Sequence, residues 1–294
     1  MRIRYERLPT ERVDARGAAL DLLPPIEIAR LMNRADRDAV RAVGRAAPAL
    51  ARAVRAIVRA VAGGGRVVLV GAGTSGRLGV LEAAECPPTF GTSPALVQAV
   101  IAGGRRAVFR SAEGAEDDAR AGARAVRDRA RAGDVVVGIA ASGVTPFVRA
   151  ALGQARRRRA DTVLVTANPR ARGARIVIRL AVGPEVVAGS TRLKAGTATK
   201  LALNTLTTAA FAGLGRLYGN RMVDLRPRSA KLRARAARLV AEIGRVDQAR
   251  AARLLQASGG RAKVAIVMAR LGLSRARAEA RLRSAGGSLR TLLG

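Results

Sequence analysis

The chain contains no histidine. That absence removes Ser-His-Asp and Cys-His catalysis, histidine-ligated zinc, and imidazole as a general acid or base. Acid–base chemistry must then fall to Glu, Asp, Lys, Tyr or the single cysteine, Cys86. One cysteine also excludes an intrachain disulfide and a cysteine metal cluster, which fits a reducing compartment. Aromatic residues are only 2% and tryptophan is absent, which leaves little for stacking single-stranded nucleic acid. The longest apolar runs, such as 67–72 and the stretch that follows Asp134 to residue 141, are strand-sized. None approaches the ~18 residues that cross a bilayer. The start, Met1-Arg2-Ile3-Arg4-Tyr5-Glu6-Arg7, turns polar before an apolar signal core can form, so a cytoplasmic protein is expected.

What is present is a core and an excess of arginine. Hydrophobic residues make up 49% of 294, enough for one large domain or two of ordinary size. The net charge is +33, yet lysine occurs only at Lys194, Lys200, Lys231 and Lys263. The arginines are scattered among alanines along most helical stretches instead of forming one stripe. The densest run, 156–159, sits at an expected helix end, where cations suit the dipole. Such a distribution reads as compositional bias, and nucleic acid is not the expected partner despite the charge.

Apolar residues at three- and four-residue steps (Val40, Val43, Ala47, Leu50, Val54, Ile57, Val61) predict helix over 26–61, stopped by Gly63-Gly64-Gly65. Strands are expected at 66–70, 96–102, 134–141, 161–167 and 176–182, and helices at 77–85, 117–132 and 146–157. Short apolar runs alternating with helices give an α/β fold with a doubly wound, mostly parallel sheet. After Gly183 the alternation ends. A long helix over 190–216 follows, then short helical patterns over 230–294 split by Gly259-Gly260, Gly272 and Gly286-Gly287.

Two strand-to-helix turns could hold an anion. Gly71-Ala72-Gly73-Thr74-Ser75-Gly76 and Ser142-Gly143-Val144-Thr145-Pro146 each place small residues and hydroxyls at a helix start. Free N–H groups and the positive dipole end favour phosphate there, although such turns also simply cap helices. Gly71, Gly73 and Gly76 satisfy G-x-G-x-x-G, but the next strand ends in Gly103-Gly104-Arg105-Arg106, not in the acidic residue of a dinucleotide site. No Walker A motif is present, so NAD and ATP are disfavoured.

Two carboxylates complete the candidate chemistry. Glu85 falls at the expected end of the helix that follows the first turn, where the dipole would raise its pKa and suit a proton donor. Glu116, in Glu113-Gly114-Ala115-Glu116-Asp117-Asp118, falls at a helix start that favours the carboxylate and suits a base. By position alone, either is more simply an ordinary solvated or capping acid. A third stretch, 189–200, opens the long helix; Ser190 could cap it, and Arg192 and Lys194 could reach an anionic substrate.

Beyond the fold pattern, residues 71–81 through Glu85-Cys86-Pro87-Pro88-Thr89-Phe90-Gly91 resemble the signature of the N-acetylmuramic acid 6-phosphate etherases. So do Ala102-Gly103-Gly104, residues 113–118, 136–143 and 189–199, Tyr218-Gly219-Asn220, Met222-Val223-Asp224-Leu225 and Lys263 through Met268. The match runs in order from about Thr10-Glu11 over almost the whole chain. The resemblance implies a sugar isomerase (SIS) fold over 61–225, preceded by a helical segment (1–60) and followed by a small helical domain (226–294). It implies a cytoplasmic, cofactor-free carbon–oxygen lyase that removes D-lactate from N-acetylmuramic acid 6-phosphate in peptidoglycan recycling, and a homodimer with shared active sites. By the same resemblance Glu85 is the proton donor and Glu116 a second acid/base. Gly73, Thr74, Ser75 and Gly76, with Ser142, Gly143 and Thr145, hold the sugar phosphate, and Ser190, Arg192 and Lys194 lie against the site.

The sequence departs from the family pattern at Val144 (usually Arg), Phe147 (usually Tyr), Thr10-Glu11-Arg12 (usually Thr-Glu-Gln-Arg-Asn) and Arg228-Ser229 (usually Thr-Asn). Three rival readings use the same residues: a non-catalytic sugar-phosphate sensor, a sugar-phosphate isomerase and a charge-driven nucleic-acid binder. The presence of both Glu85 and Glu116 favours the etherase over a sensor.

Overall fold

The computed structural model describes residues 6, 8–225 and 229–294; residues 1–5 and 7 of the polar start, and Arg228 of the last departure, lie outside them. Five short segments form one parallel sheet: β1 (Val67–Gly71), β2 (Val97–Ile101), β3 (Val135–Ile139), β4 (Asp161–Thr166) and β5 (Ile176–Arg179). Their order is β2-β1-β3-β4-β5. Every residue of β1 and β3 is buried, which is why both read as unbroken apolar runs and not as alternation. The chain leaves β1 for one neighbour and returns on the other side to β3, which makes the gap beyond these two strands the switch point of the sheet. Their register pairs Val67 with Val135 and Gly71 with Ile139, so both finish level.

At the opposite end the fully buried Asp134 sets that register. Its carboxylate accepts from the backbone N–H of Arg66 (2.8 Å) and of Arg131 (3.0 Å) and from the Arg66 guanidinium (3.2 Å). Three donors satisfy a charge that would be costly to bury alone.

The helices are α1 (Pro25–Arg45), α2 (Ala47–Ala62), α3 (Gly73–Phe90), α4 (Arg106–Phe109), α5 (Ala119–Arg127), α6 (Pro146–Arg157), α7 (Lys194–Gly213) and five more, α8 to α12, between Ala230 and Leu293. No helix among the described residues is long and apolar enough to cross a membrane.

Three expectations are corrected. The helix over 26–61 is two, because Pro48 in the first turn of α2 has no N–H with which to continue the ladder of α1. The buried stripe of α1 is Leu31, Ala35, Ala39 and Ala42, while Val40 is 62% exposed. The helix over 117–132 is only Ala119–Arg127, because the Asp118 carboxylate caps it by accepting from Ala121 N–H at 2.7 Å. Finally, α3 does not end at Glu85 but passes through Pro87-Pro88 to Phe90. Cys86 and Phe90 are buried, and Phe90 stacks on Phe211 with centroids 4.7 Å apart, so tertiary packing holds the last turn against the proline break.

By proximity the chain resolves into two compact units, Met1–Ala83 with Ala95–Thr207, and Ala84–Pro94 with Thr208–Gly294. Of the three cuts, two fall inside helices, α3 and α7, and one between α3 and β2. The described elements of the second unit are helical apart from a hairpin of two two-residue strands, Leu217–Tyr218 and Arg221–Met222, and its core is built by Val223, Ala236, Val240, Ala251, Ile266, Val267 and Leu289 among others. Lys263, 7% exposed, ties this unit together by donating to Asp224 Oδ2 (2.5 Å), Gly287 O (2.8 Å) and Gly215 O (3.0 Å). Desolvation pushes its pKa below the usual lysine value. Replacing Lys263 with Met leaves Asp224 Oδ2 to Arg216 alone (3.4 Å) and strands two carbonyls; the variant should lose about 3 kcal/mol of stability, read from urea unfolding.

Candidate active site

The first turn is made by glycines in close approach. A Cβ on Gly76 would lie 2.6 Å from Ile101 Cγ1 and 2.9 Å from the Gly71 carbonyl oxygen, so only glycine lets α3 start directly at the end of β1. The helix begins at Gly73, four residues before the expected Arg77, and Gly73 to Gly76 therefore form its first turn. The Gly76 N–H donates to Ala72 O (3.1 Å), which leaves the N–H groups of Gly73, Thr74 and Ser75 at the helix start to face an anion.

The second turn follows β3. Gly143 adopts φ +71, and a Cβ there would lie 2.6 Å from Ala171 Cβ and 2.9 Å from Thr166 Oγ1. Around it Thr166 Oγ1 donates to Ala141 O (3.1 Å), Asn168 Nδ2 donates to Ser142 O (2.8 Å), and Val144 N–H donates to Ser142 Oγ (3.3 Å). The turn is thus held from the end of β4, and α6 starts immediately after it.

Between the two turns lies a cavity of about 280 Å³ at the switch point. Of the expected residues it brings together Gly73, Thr74, Ser75, Glu116, Ser142 and Thr145. Glu116 arrives from the short 3₁₀ turn Ala115–Asp117 ahead of α5. Asp117 and Val144 also line the cavity, and a further wall is built by Thr10, Glu11, Gly189 and Thr191. Among the described residues, none that lines it is arginine or lysine. The Arg-to-Val departure at Val144 therefore falls on the wall itself. Such a cavity can bind a phosphate through N–H groups and hydroxyls and can offer carboxylates to a carbon acid beside it.

Other expected residues lie elsewhere. Gly76 and Gly143 shape the turns without lining the cavity. Glu85 is exposed on the part of α3 assigned to the second unit, five residues before the helix end and so outside the last turn, where the dipole acts. Arg192 is exposed and Ser190 half-buried, and neither lines the cavity. Ser190 does not cap α7: the buried Glu185 does, accepting from Lys194 N–H and Ala195 N–H at 2.9 Å each. Burial pushes the Glu185 carboxyl above its usual value. Lys194 is 1% exposed, its Nζ 3.6 Å from Asp14 and 3.8 Å from Asp38, so its charge is spent inside the protein and not on the cavity. Thr10, Glu11, Asp117 and Thr191 have no signal of their own as site residues. Only the family match marks them, at its start for Thr10-Glu11 and within 113–118 and 189–199 for Asp117 and Thr191, and no local pattern marks a wall that is completed by residues far along the chain.

A parallel sheet with hydroxyl-bearing turns at its switch point is the architecture of the sugar-phosphate-binding SIS domains, and residues 49–156 match the glucokinase regulatory protein N-terminal SIS domain. Relatives extend the match to the full chain. N-acetylmuramic acid 6-phosphate etherase of Synechocystis is 48% identical over 99% of this chain and 97% of its own. The etherase of Gloeobacter violaceus is 49% identical over 97% and 96%, and that of Cutibacterium acnes 46% identical over 96% and 94%. The chain belongs to the N-acetylmuramic acid 6-phosphate etherase family.

The wall carrying Glu11 is fastened by Asp14. The Arg16 guanidinium hydrogen-bonded to Asp14 holds its carboxyl at about 2, below the ordinary 3.8. A depressed acid contributes stability that is complete above the unfolded value and lost as pH falls through the folded one. The gap in urea midpoint between the wild type and Asp14→Asn should be constant above 3.8 and close as pH falls toward about 2.

Proposed function

We propose that this chain cleaves the lactyl ether of N-acetylmuramic acid 6-phosphate by elimination and water addition, releasing D-lactate and N-acetylglucosamine 6-phosphate. The observation that carries the reading is the cavity joining both hydroxyl turns to Glu116, in a chain whose full length matches enzymes of that name. The phosphate is held by Gly73, Thr74 and Ser75 on one side and by Ser142 and Thr145 on the other. Gly76 and Gly143 give those turns their shape.

In the open-chain sugar the C1 aldehyde acidifies the C2 proton. Glu116 removes it, the electron pair forms the C2–C3 double bond, and the C3–O bond breaks. Glu85 protonates the departing ether oxygen, so lactate leaves as its alcohol. Water then adds at C3 of the unsaturated aldehyde with the two carboxyls in reversed roles. Every step is proton transfer or addition, within reach of glutamates alone.

We place the enzyme in the cytoplasm as a homodimer with shared active sites. Sedimentation at micromolar concentration should give twice the 30.6 kDa chain mass.

Purified protein should release D-lactate from the substrate with EDTA present, and in oxygen-18 water the label should appear at C3 of the sugar. Glu85→Gln and Glu116→Gln should each lower kcat by roughly 10²–10⁴-fold while product binding persists. A glutamate whose Gln variant keeps most of its turnover is neither the acid nor the base. A folded wild type that binds the sugar phosphate without releasing lactate would make the protein a sensor.

A further inference from the structure

The N-terminal segment contributes a carboxylate to the cavity that the reaction above does not use. Thr10 is buried, and its backbone carbonyl accepts from Gly189 N–H at 3.2 Å. Its hydroxyl donates to Glu11 Oε1 at 2.9 Å. The other oxygen, Oε2, lies against Gly189, 3.3 Å from where a Cβ would stand. Glu11 is therefore aimed, from a neighbour that is itself fixed, into the wall it shares with Gly189 and Thr191.

The same segment is anchored three residues later. Asp14, 8% exposed, takes a bidentate grip from Arg16 (2.7 to 3.1 Å), and Arg16 also reaches Asp38 of α1 at 3.0 Å. Lys194 Nζ sits between Asp14 and Asp38 with no hydrogen bond, held by charge alone. At the first residue of α7, Lys194 thus pins the segment to both helices from inside the protein.

We infer that Glu11 binds a hydroxyl of the substrate sugar between the phosphate-bearing and reacting carbons, and that Lys194 acts as its positioning residue. An ionised carboxylate only accepts hydrogen bonds, and a sugar chain offers hydroxyl donors. With phosphate on the two turns and Glu116 at the reacting carbon, Glu11 is the lining carboxylate on the remaining wall. This inference rests on the sugar-phosphate reading of the cavity but not on lactate cleavage.

The test measures binding of two probes, N-acetylglucosamine 6-phosphate and inorganic phosphate, together with kcat and KM for lactate release. Loss of a charged hydrogen bond predicts that Glu11→Ala raises Kd for the sugar phosphate and KM about 10- to 100-fold. Its kcat should stay within about threefold, as for a contact equal in ground and transition states. Inorganic phosphate should bind Glu11→Ala as it binds the wild type. Thr10→Val, which removes only the orienting hydroxyl, should shift KM in the same direction by a smaller factor. Lys194→Met should weaken the sugar phosphate and add little on top of Glu11→Ala in the double variant.

Unchanged sugar-phosphate affinity in Glu11→Ala overturns the assignment, as does an equal loss for both probes. Additive effects of Glu11→Ala and Lys194→Met overturn the positioning role, and if Lys194→Met does not fold, an unshifted Thr10→Val overturns the orientation. A wild type that releases no lactate, yet loses sugar-phosphate affinity in Glu11→Ala, sinks the etherase reading and leaves this inference standing.

Discussion

One buried carboxylate governs the level of the site from the far end of the sheet. Asp134 takes the N–H of Arg66, the residue before β1, and that of Arg131, so β1 and β3 enter the sheet in fixed register. With five paired residues on each strand, that register carries through to Gly71 opposite Ile139. The two turns proposed to share one small anion then emerge at the same height. A one-residue slip would lift one turn by about 3.3 Å relative to the other and also reverse which side chains face the flanking helices.

The parts of this arrangement built by local chemistry are visible in the sequence. Valine-rich runs of five residues bounded by glycine admit little but a buried parallel strand, and the strands fall close to their expected places, β5 stopping at Arg179 where 182 was expected. The turns are legible because Gly76 and Gly143 stand where no Cβ fits. What fails is whatever depends on partners distant in the chain. Pro87-Pro88 reads as a helix end, yet the burial of Cys86 and the stacking of Phe90 on Phe211 keep α3 going. Val40 belongs to the apolar periodicity that predicts the helix, yet the face of α1 that is covered is made largely of alanines.

Lys194 shows the limit most clearly. A lysine at a helix start, in a chain with so few, resembles an anion ligand. Its actual surroundings are Asp14 and Asp38, together with the Glu185 that caps the helix it begins, and no spacing rule connects these positions. The same ion cluster gives the irregular N-terminal segment a defined place. Hydrophobic burial contributes little there, since between Leu8 and Asp14 only Leu8, Thr10 and Asp14 are buried.

The composition of the cavity walls separates how an anion arrives from how it stays. A chain of net charge +33 surrounds itself with a long-range field that draws anions in from every direction, and salt screens that field over about 10 Å. Inside, on the proposed reading, the grip comes from amide and hydroxyl dipoles at contact range, with carboxylates and, among the described residues, no cation beside them. On that reading ionic strength acts on the association rate more than on the residence time. No lysine or arginine among the described cavity residues of this chain holds an anionic product back, so a highly basic protein can still let a sugar phosphate go.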